Sequence, residues 1–523
     1  MLKYLIKRIL SGLAAVVVVV AIVMIMIYSL LDKNRVFAAD QTYNHTASNQ
    51  RITYSMDKWE QYGYLDYVPY GEYMQNLAKI GEVDEETRAA ASVLGRTAED
   101  DSPETAEYVE RFTKEYEAKG YTVTRLDAEI NKRGKLVNGG QQTLYASKDL
   151  PLSNRLWTYF TGLLEIDSVH FVEEDIGERG LTFTLHDPVY EGKFSPAIIG
   201  NGTRHKYLLY FDSTFPYIHQ NLATIRLGQS FTVNNGVDVF HSMTRSQGSY
   251  VLRPTTFPTG LHEDSADDLH SAVYQAGSRE VSMIYKDRFT DDYTNVDTIR
   301  GGYSKMGYSF VIGIIATCMA YLLGVPIGLA MALNKDGLLD KICNIYVVFI
   351  IAVPSLAYIF LFKAIGGSVF GLPTTFDIES PSKLIFVLPI ISLALPSIAN
   401  LMKWTRRYMI DQMNSDYVKF ARSGGLTEGE IFRKHVLKNA VIPIVHGVPA
   451  SLLFAMTGAI ITERVYVVPG AGNLLTEAIN KYDNSVIVGV TLFYAVLSVT
   501  AIILGDLLMT MVDPRISFTT KDR

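Results

Sequence analysis

The chain has 523 residues, 48% of them hydrophobic, and only two cysteines, Cys318 and Cys343. This excludes a disulfide-stapled fold and leaves room for several folded units. The net charge of −6 averages two unlike parts: residues 32–302 carry 27 Lys+Arg against 40 Asp+Glu, and the remainder carries 21 against 14. An acidic polar block inside a basic, apolar frame points to a membrane protein with one large outside domain and no nucleic-acid partner.

The N-terminus places Lys3, Lys7 and Arg8 ahead of an uncharged run from Ile9 to Leu31. At about 1.5 Å per residue this run spans about 30 Å of hydrocarbon. Val36-Phe37-Ala38 offers a signal-cleavage pattern, but the run is longer than a signal core of roughly 7–15 residues, so an uncleaved anchor is expected. Residues 1–31 are therefore read as a cytoplasmic N-terminus and first transmembrane helix.

Residues 32–302 are rich in Tyr and Phe, the material of a core. Glu82 to Lys119 favours helix, with helical spacing at Tyr108, Phe112 and Tyr116. Tyr121–Thr124, Leu181–Leu185 and Tyr207–Phe211 read as strands, punctuated by Asn138-Gly139-Gly140 and Asn234-Asn235-Gly236. A mixed α/β extracytoplasmic domain is expected.

Five further spans follow: Ser309–Leu333, Ile342–Ile365, Lys383–Met402, Pro443–Val465 and Val486–Val512. Gly324 and Gly328 flank Pro326 in the first of these, a small-residue pair suited to close helix packing. Within the fifth span overall, Gly447, Ser451, Ala455 and Ala459 form one ridge, read as packing or as part of a pathway lining. Ser451, Phe454 and Thr457 are the pathway candidates. Asp506 is costly in lipid and should face protein or water. Sixteen of the 21 basic residues outside the block fall in loops and ends assigned to the cytoplasm, which puts both termini inside. The membrane core covers 303–515, with a cytoplasmic tail at 516–523.

Between the fourth and fifth spans, residues 403–442 form a polar, basic loop. Its centre reads Asp416-Tyr417-Val418-Lys419-Phe420-Ala421-Arg422-Ser423-Gly424-Gly425-Leu426. Ala421 and Gly425 stand one helical turn apart, on one face, and Gly424-Gly425 should end the helix. This stretch resembles the cytoplasmic coupling loop of ABC-importer permeases of the oligopeptide/dipeptide group, whose pattern is roughly D-Y-V-x-x-A-R-x-x-G-L. Asp416, Tyr417, Val418, Ala421, Arg422, Gly425 and Leu426 match; Gly424 stands where lysine is usual, and Lys419 and Phe420 depart from the broader importer motif. Glu463 with Pro469-Gly470-Ala471-Gly472, and Asp513-Pro514-Arg515, are similar to the same group. Gly202–Tyr207, Phe215–Asn221 and Ser278–Val281 resemble the large insert of Gram-positive Ami-type permeases.

The resemblance implies an all-α polytopic fold of six transmembrane helices. It implies peptide as substrate, a second homologous permease subunit, two cytoplasmic ABC ATPase subunits and an extracytoplasmic peptide-binding lipoprotein. It assigns ATPase coupling to Asp416, Tyr417, Ala421, Arg422, Gly425 and Leu426. The residues agree in what they lack: no phosphate loop, no catalytic motif and no metal-ligand spacing occurs, so neither enzymatic activity nor a cofactor is expected. Seven histidines, from His170 to His270, are scattered through the block without such spacing. A membrane-anchored ligand sensor, an importer of another solute such as a nickel chelate, and a mechanotransmission protein with a different helix order remain as alternatives.

Overall fold

The computed structural model describes residues 2–38, 40–46, 48–129, 141–190, 192–212, 217–275 and 286–512. The Asn138-Gly139-Gly140 turn, Phe215-Pro216, Ser278–Val281, Asp513-Pro514-Arg515 and the tail lie outside the described residues. The contacts divide the chain into two compact units, one of residues 21–162 with 481–485, the other of residues 1–20, 163–480 and 486–523. The block 32–302 is thus not one domain. Its first part has a core of its own, whereas its second part shares a core with the long helices.

Helix α1 spans Leu2–Leu30. In the smaller unit, short α2 (Gln41–His45) and α3 (Ser48–Gln61) precede β1 (Leu65–Pro69). Then come α4 (Tyr70–Lys79), α5 (Glu85–Ala91), α6 (Pro103–Ala118), β2 (Thr122–Leu126), β3 (Thr143–Asp149) and α7 (Leu152–Gly162). The strands form an antiparallel sheet in the order β1-β3-β2. Alternation along β3 sorts its faces. Leu144 and Ala146 bury with Tyr70, Tyr73, Met74, Leu77 and Phe112, while Tyr145 packs with Leu65, Tyr67 and, from α3, Ile52, Met56 and Trp59. The helix-friendly stretch 82–119 is two helices. Ser102 caps the second by accepting the amide of Thr105, with Pro103 in its first turn.

In the larger unit, β5 (Gly180–Thr184), β6 (Ala197–Asn201), β7 (Tyr207–Phe211) and β8 (Ile218–Gln220) form an antiparallel sheet. Before it runs β4 (Leu164–Ile166), paired with β9 (Ala223–Ile225). Two further pairs follow α8 (Val239–Thr244): β10 (Arg253–Thr256) with β11 (His262–Ser265), and β12 (Asp267–Tyr274) with β13 (Tyr293–Thr298).

The long helices are α9 (Lys305–Leu333), α10 (Leu338–Ala352), α11 (Ser355–Phe370) and α12 (Val387–Met413). After them come α13 (Asp416–Ser423), α14 (Glu428–Ile431), α15 (Leu437–His446), α16 (Val448–Tyr466), α17 (Ala471–Asn480) and α18 (Asn484–Val512). Among the described residues, α1, α9, α12 and α18 are each long and apolar enough to cross a bilayer. The expected single span Ile342–Ile365 is instead α10 and α11, bent by 114°. Val353 is extended, as a residue preceding proline prefers, and Pro354 opens the second helix. If the pair is one span, five spans are present. The stretch Pro443–Val465 is divided at Gly447 between α15 and α16.

Leu227, Val239 and Met243 of the second part of the block bury against Met306 of α9, Ala471, Leu474 and Ala478 of α17, and Val486 and Val490 of α18. A Cβ on Gly489 would stand 2.8 Å from Val239. The seam between α9 and α12 is tighter still. A Cβ on Gly324 would lie 2.8 Å from Leu401 Cβ and 3.0 Å from the Ile398 carbonyl, and one on Gly328 would lie 2.7 Å from the Met402 carbonyl. Pro326 sits between them without breaking α9. The glycine pair is therefore a helix-packing device.

Gly328→Ala should lower the thermal midpoint of the protein in lipid nanodiscs, because backbone cannot yield to the added methyl; overpacking of this kind costs about 1–3 kcal/mol. Gly71→Ala, whose Cβ meets nothing within 4 Å, is the control. It should leave the midpoint unchanged or raise it.

Candidate functional site

Helix α13 lies between the end of α12 and the start of α15. Ser415 enters it in extended backbone, and Asp416 sits in its first turn, where a carboxylate favours the helix dipole. Lys419 donates to Asp416 over 2.8 Å and holds that carboxyl below the usual carboxylate range. Gly424 caps the helix; Gly425 follows at φ +84°, a conformation that strains any side chain. The Leu426 amide then returns to the Ala421 carbonyl at 3.3 Å. Thr427 and Glu430 form a capping box on α14. Arg422 closes the turn with a fork onto both Glu428 oxygens, at 2.6 and 3.0 Å, which lowers the Glu428 pKa and raises its own.

One face of α13 is inward. Val418 and Ala421 bury with Met409, Ile431, Val436, Ala440 and Ala332, with Tyr417 and Leu426 packed beside them. The Tyr417 hydroxyl donates to the Gln412 side chain over 2.7 Å. The expectation that Ala421 and Gly425 share one helical face is corrected here. Ala421 is needed inside, and Gly425 lies past the last helical residue. The outward face carries Asp416, Lys419, Phe420 and Ser423. Phe420 is 79% exposed, a large aromatic ring left in water on a helix of eight residues. Sequence reasoning passed over it as a departure from motif. The signal was available: Val418 and Ala421 fix the buried stripe, and position 420 falls off it.

The loop hangs from a rigid seat. Arg406, on the last turns of α12, grips the buried Asp340 of α10 through two 2.7 Å bonds. Asn344 and the amide of Asp336 complete that carboxylate, each at 3.0 Å. The helix beyond Met402 is thus an extension of the expected fourth span, held by one ion pair.

Toward the other end of these helices, Glu463 of α16 is fully buried. Ser309 donates to it over 2.6 Å and accepts the amide of Ala471 over 2.9 Å, and the amide of Asn473 donates over 3.0 Å. Side chains on Gly470 or Gly472 would run into this carboxylate. Pro469-Gly470-Ala471-Gly472 is therefore the loop that wraps it. Lys363 of α11 donates to the Val465 carbonyl at 2.6 Å, over the Tyr466 ring.

Of the pathway candidates, Ser451 is half-buried with its hydroxyl 3.1 Å from that of Tyr321 on α9. Ala455 and Ala459 on the same ridge are buried in the helix core. That row packs. Phe454 and Thr457 lie on α16, with side chains outside the described structure. Asp506 faces protein, paired with Arg8 at 2.9 Å.

Residues 324–518 match the family described as binding-protein-dependent transport system inner membrane component. The chain is 32% identical to the oligopeptide transport system permease protein AmiC of Streptococcus pneumoniae, across 100% of this chain and 99% of that one. It is 31% identical to the dipeptide transport system permease protein DppB of Bacillus subtilis, across 41% of this chain and 68% of the relative. A structure of the MetNI methionine ABC transporter in inward-facing conformation aligns with a TM-score of 0.32 and 14% identity, over 39% of this chain and 93% of that one.

Arg406→Ala should leave Asp340 buried without its cation. The thermal midpoint should fall with a loss of about 3 kcal/mol, and Arg406→Lys should recover only part of it, since lysine cannot reproduce the fork. An unchanged midpoint for Arg406→Ala would show that the pair does not seat the loop. Matched along its whole length by a permease of the same extent, the chain belongs to the oligopeptide permease family of binding-protein-dependent transport system inner membrane components.

Proposed function

We propose that this protein is one permease subunit of an ATP-driven peptide importer. It forms half of the translocation pathway and pairs with a second, homologous permease. Two ABC ATPase subunits supply the energy, and an extracytoplasmic lipoprotein delivers the peptide. The chain crosses the membrane six times, counting α10–α11 as one bent span and α15–α16 as another. Both termini and α13 face the cytoplasm, in keeping with the basic residues of the connecting loops. Residues 32–302 face outward.

The observation that carries the coupling role is α13 itself. Its inward face is committed to the permease core, and its outward face presents Phe420 beside Lys419. An exposed aromatic next to a cation is the surface a partner's apolar pocket would cover. Asp416, Arg422 and Gly425 shape the turn that presents it, while Ala421, Tyr417 and Leu426 hold it in place. Movement of the two ATPases would carry this rigid unit and, through Arg406, the end of α12. The pathway role of Ser451, Phe454 and Thr457 belongs to the same reading, with Ser451 acting through Tyr321.

Phe420→Asp is the test, because Gly425→Arg would also strain the backbone at φ +84°. In proteoliposomes with both permeases and both ATPases, Phe420→Asp should reduce ATP-dependent peptide uptake about tenfold or more. Its thermal midpoint should stay that of the wild type. Normal uptake would show that α13 is not the docking element.

A further inference from the structure

Strands β4 and β9 form a ribbon with two unlike faces. Leu164 stands opposite Ile225 and Ile166 opposite Ala223, so these four share one face. Glu165 and Thr224 stand opposite each other on the reverse. The reverse face is ion-paired, with Glu165 meeting Arg226 at 2.7 Å and Arg204 at 3.1 Å. The apolar face is bare: Leu164 is 57% exposed, Ile166 67% and Ile225 43%. Single exposed aliphatic side chains are ordinary, but three neighbours on one face form a patch that water disfavours.

The course of the chain indicates what covers this patch. The ladder continues past Ile225 with a bond from the Arg226 amide to the Leu163 carbonyl, and the next residue, Leu227, is buried. Leu227 shares its core with Met306 in the first turn of α9 and with Val486 and Val490 in the first two turns of α18. Each of these helices has 29 residues. At about 1.5 Å per residue that is about 43 Å, against about 30 Å of hydrocarbon and about 40–45 Å of whole bilayer. Their first turns therefore stand in the interfacial layer, where headgroups meet acyl chains. The apolar face of the ribbon is continuous with a residue held at that depth.

We propose that this face rests on the bilayer, with Leu164, Ile166 and Ile225 among the glycerol and upper acyl groups of the outer leaflet. The ion-paired face is turned to water, as in other amphipathic elements that lie in the interface. Lipid fits better than the extracytoplasmic binding protein, because a partner that leaves after each delivery would return this face to water each time. Naming the leaflet as the outer one rests on the topology proposed above; contact with lipid does not, since it needs only that α9 and α18 cross the membrane.

The experiment is tryptophan fluorescence of the full-length chain in nanodiscs of phosphatidylcholine, plain or brominated on the upper acyl chain. The emission added by each new tryptophan is read as the difference from wild type. Ile166→Trp should emit to the blue of a water-exposed indole and lose emission in brominated lipid. Thr224→Trp, on the reverse face, should lose little. Leu164→Trp stands in if Ile166→Trp lowers the thermal midpoint. Ile502→Trp, at an exposed position of α18, reports on the span itself and should be quenched by bromine placed deeper in the chain. Absence of quenching at Ile166→Trp, or equal quenching at Ile166→Trp and Thr224→Trp, overturns the proposal. So does quenching that disappears when the second permease is added, since a subunit would then be the cover. With Ile502→Trp quenched in those cases, the membrane topology survives and only the ribbon contact is lost; with Ile502→Trp unquenched, α18 is not a span and both readings fall.

Discussion

Two backbones in contact set the terms for this protein. At Gly324 and Gly328, α9 approaches α12 until there is no room for a methyl group. Without water to drive apolar faces together, helices in a membrane gain from such close packing. The seam fixes α12, and α12 carries both the Arg406–Asp340 pair and the departure point of α13. The presentation of Phe420 thus depends on two glycines nearly a hundred residues earlier in sequence.

A second constraint acts near the other end of the helices. A carboxylate buried as deeply as that of Glu463 is tolerated only with its acceptor sites filled. Ser309, on α9, and the amides after Pro469 fill them. The same residues tie α9 to the turn between α16 and α17, so α9 is clamped by glycine contacts along one part and by hydrogen bonds along another. Lys363 ties α11 to the end of α16 through the Val465 carbonyl. The polar groups here organise backbone.

Local signals in the sequence were reliable where one residue decides the outcome. Gly424-Gly425 ends α13, the small pair around Pro326 packs, and alternating runs became β2, β5 and β7. Reading failed where the outcome depends on what lies across the chain. Pro354 was seen, but whether a proline bends a helix slightly or by 114° depends on its neighbours in space. Ala421 looked like a docking residue because small size serves a buried contact and an exposed one equally. The division after Gly162 was invisible, since composition does not reveal which apolar residues of the block pack with α17 and α18.

The core made by Leu227, Val239 and Met243 with α17 and α18 has a consequence for biosynthesis. These residues are made long before Leu474, Val486 and Val490 leave the ribosome. Until then, the second part of the block holds an apolar face that only the start of α9 can cover. Its maturation must therefore wait for the last helices to insert, and the waiting form is the one exposed to aggregation and proteolysis. Assembly of the nascent chain runs in an order set by this patch, with the middle of the polypeptide completed last.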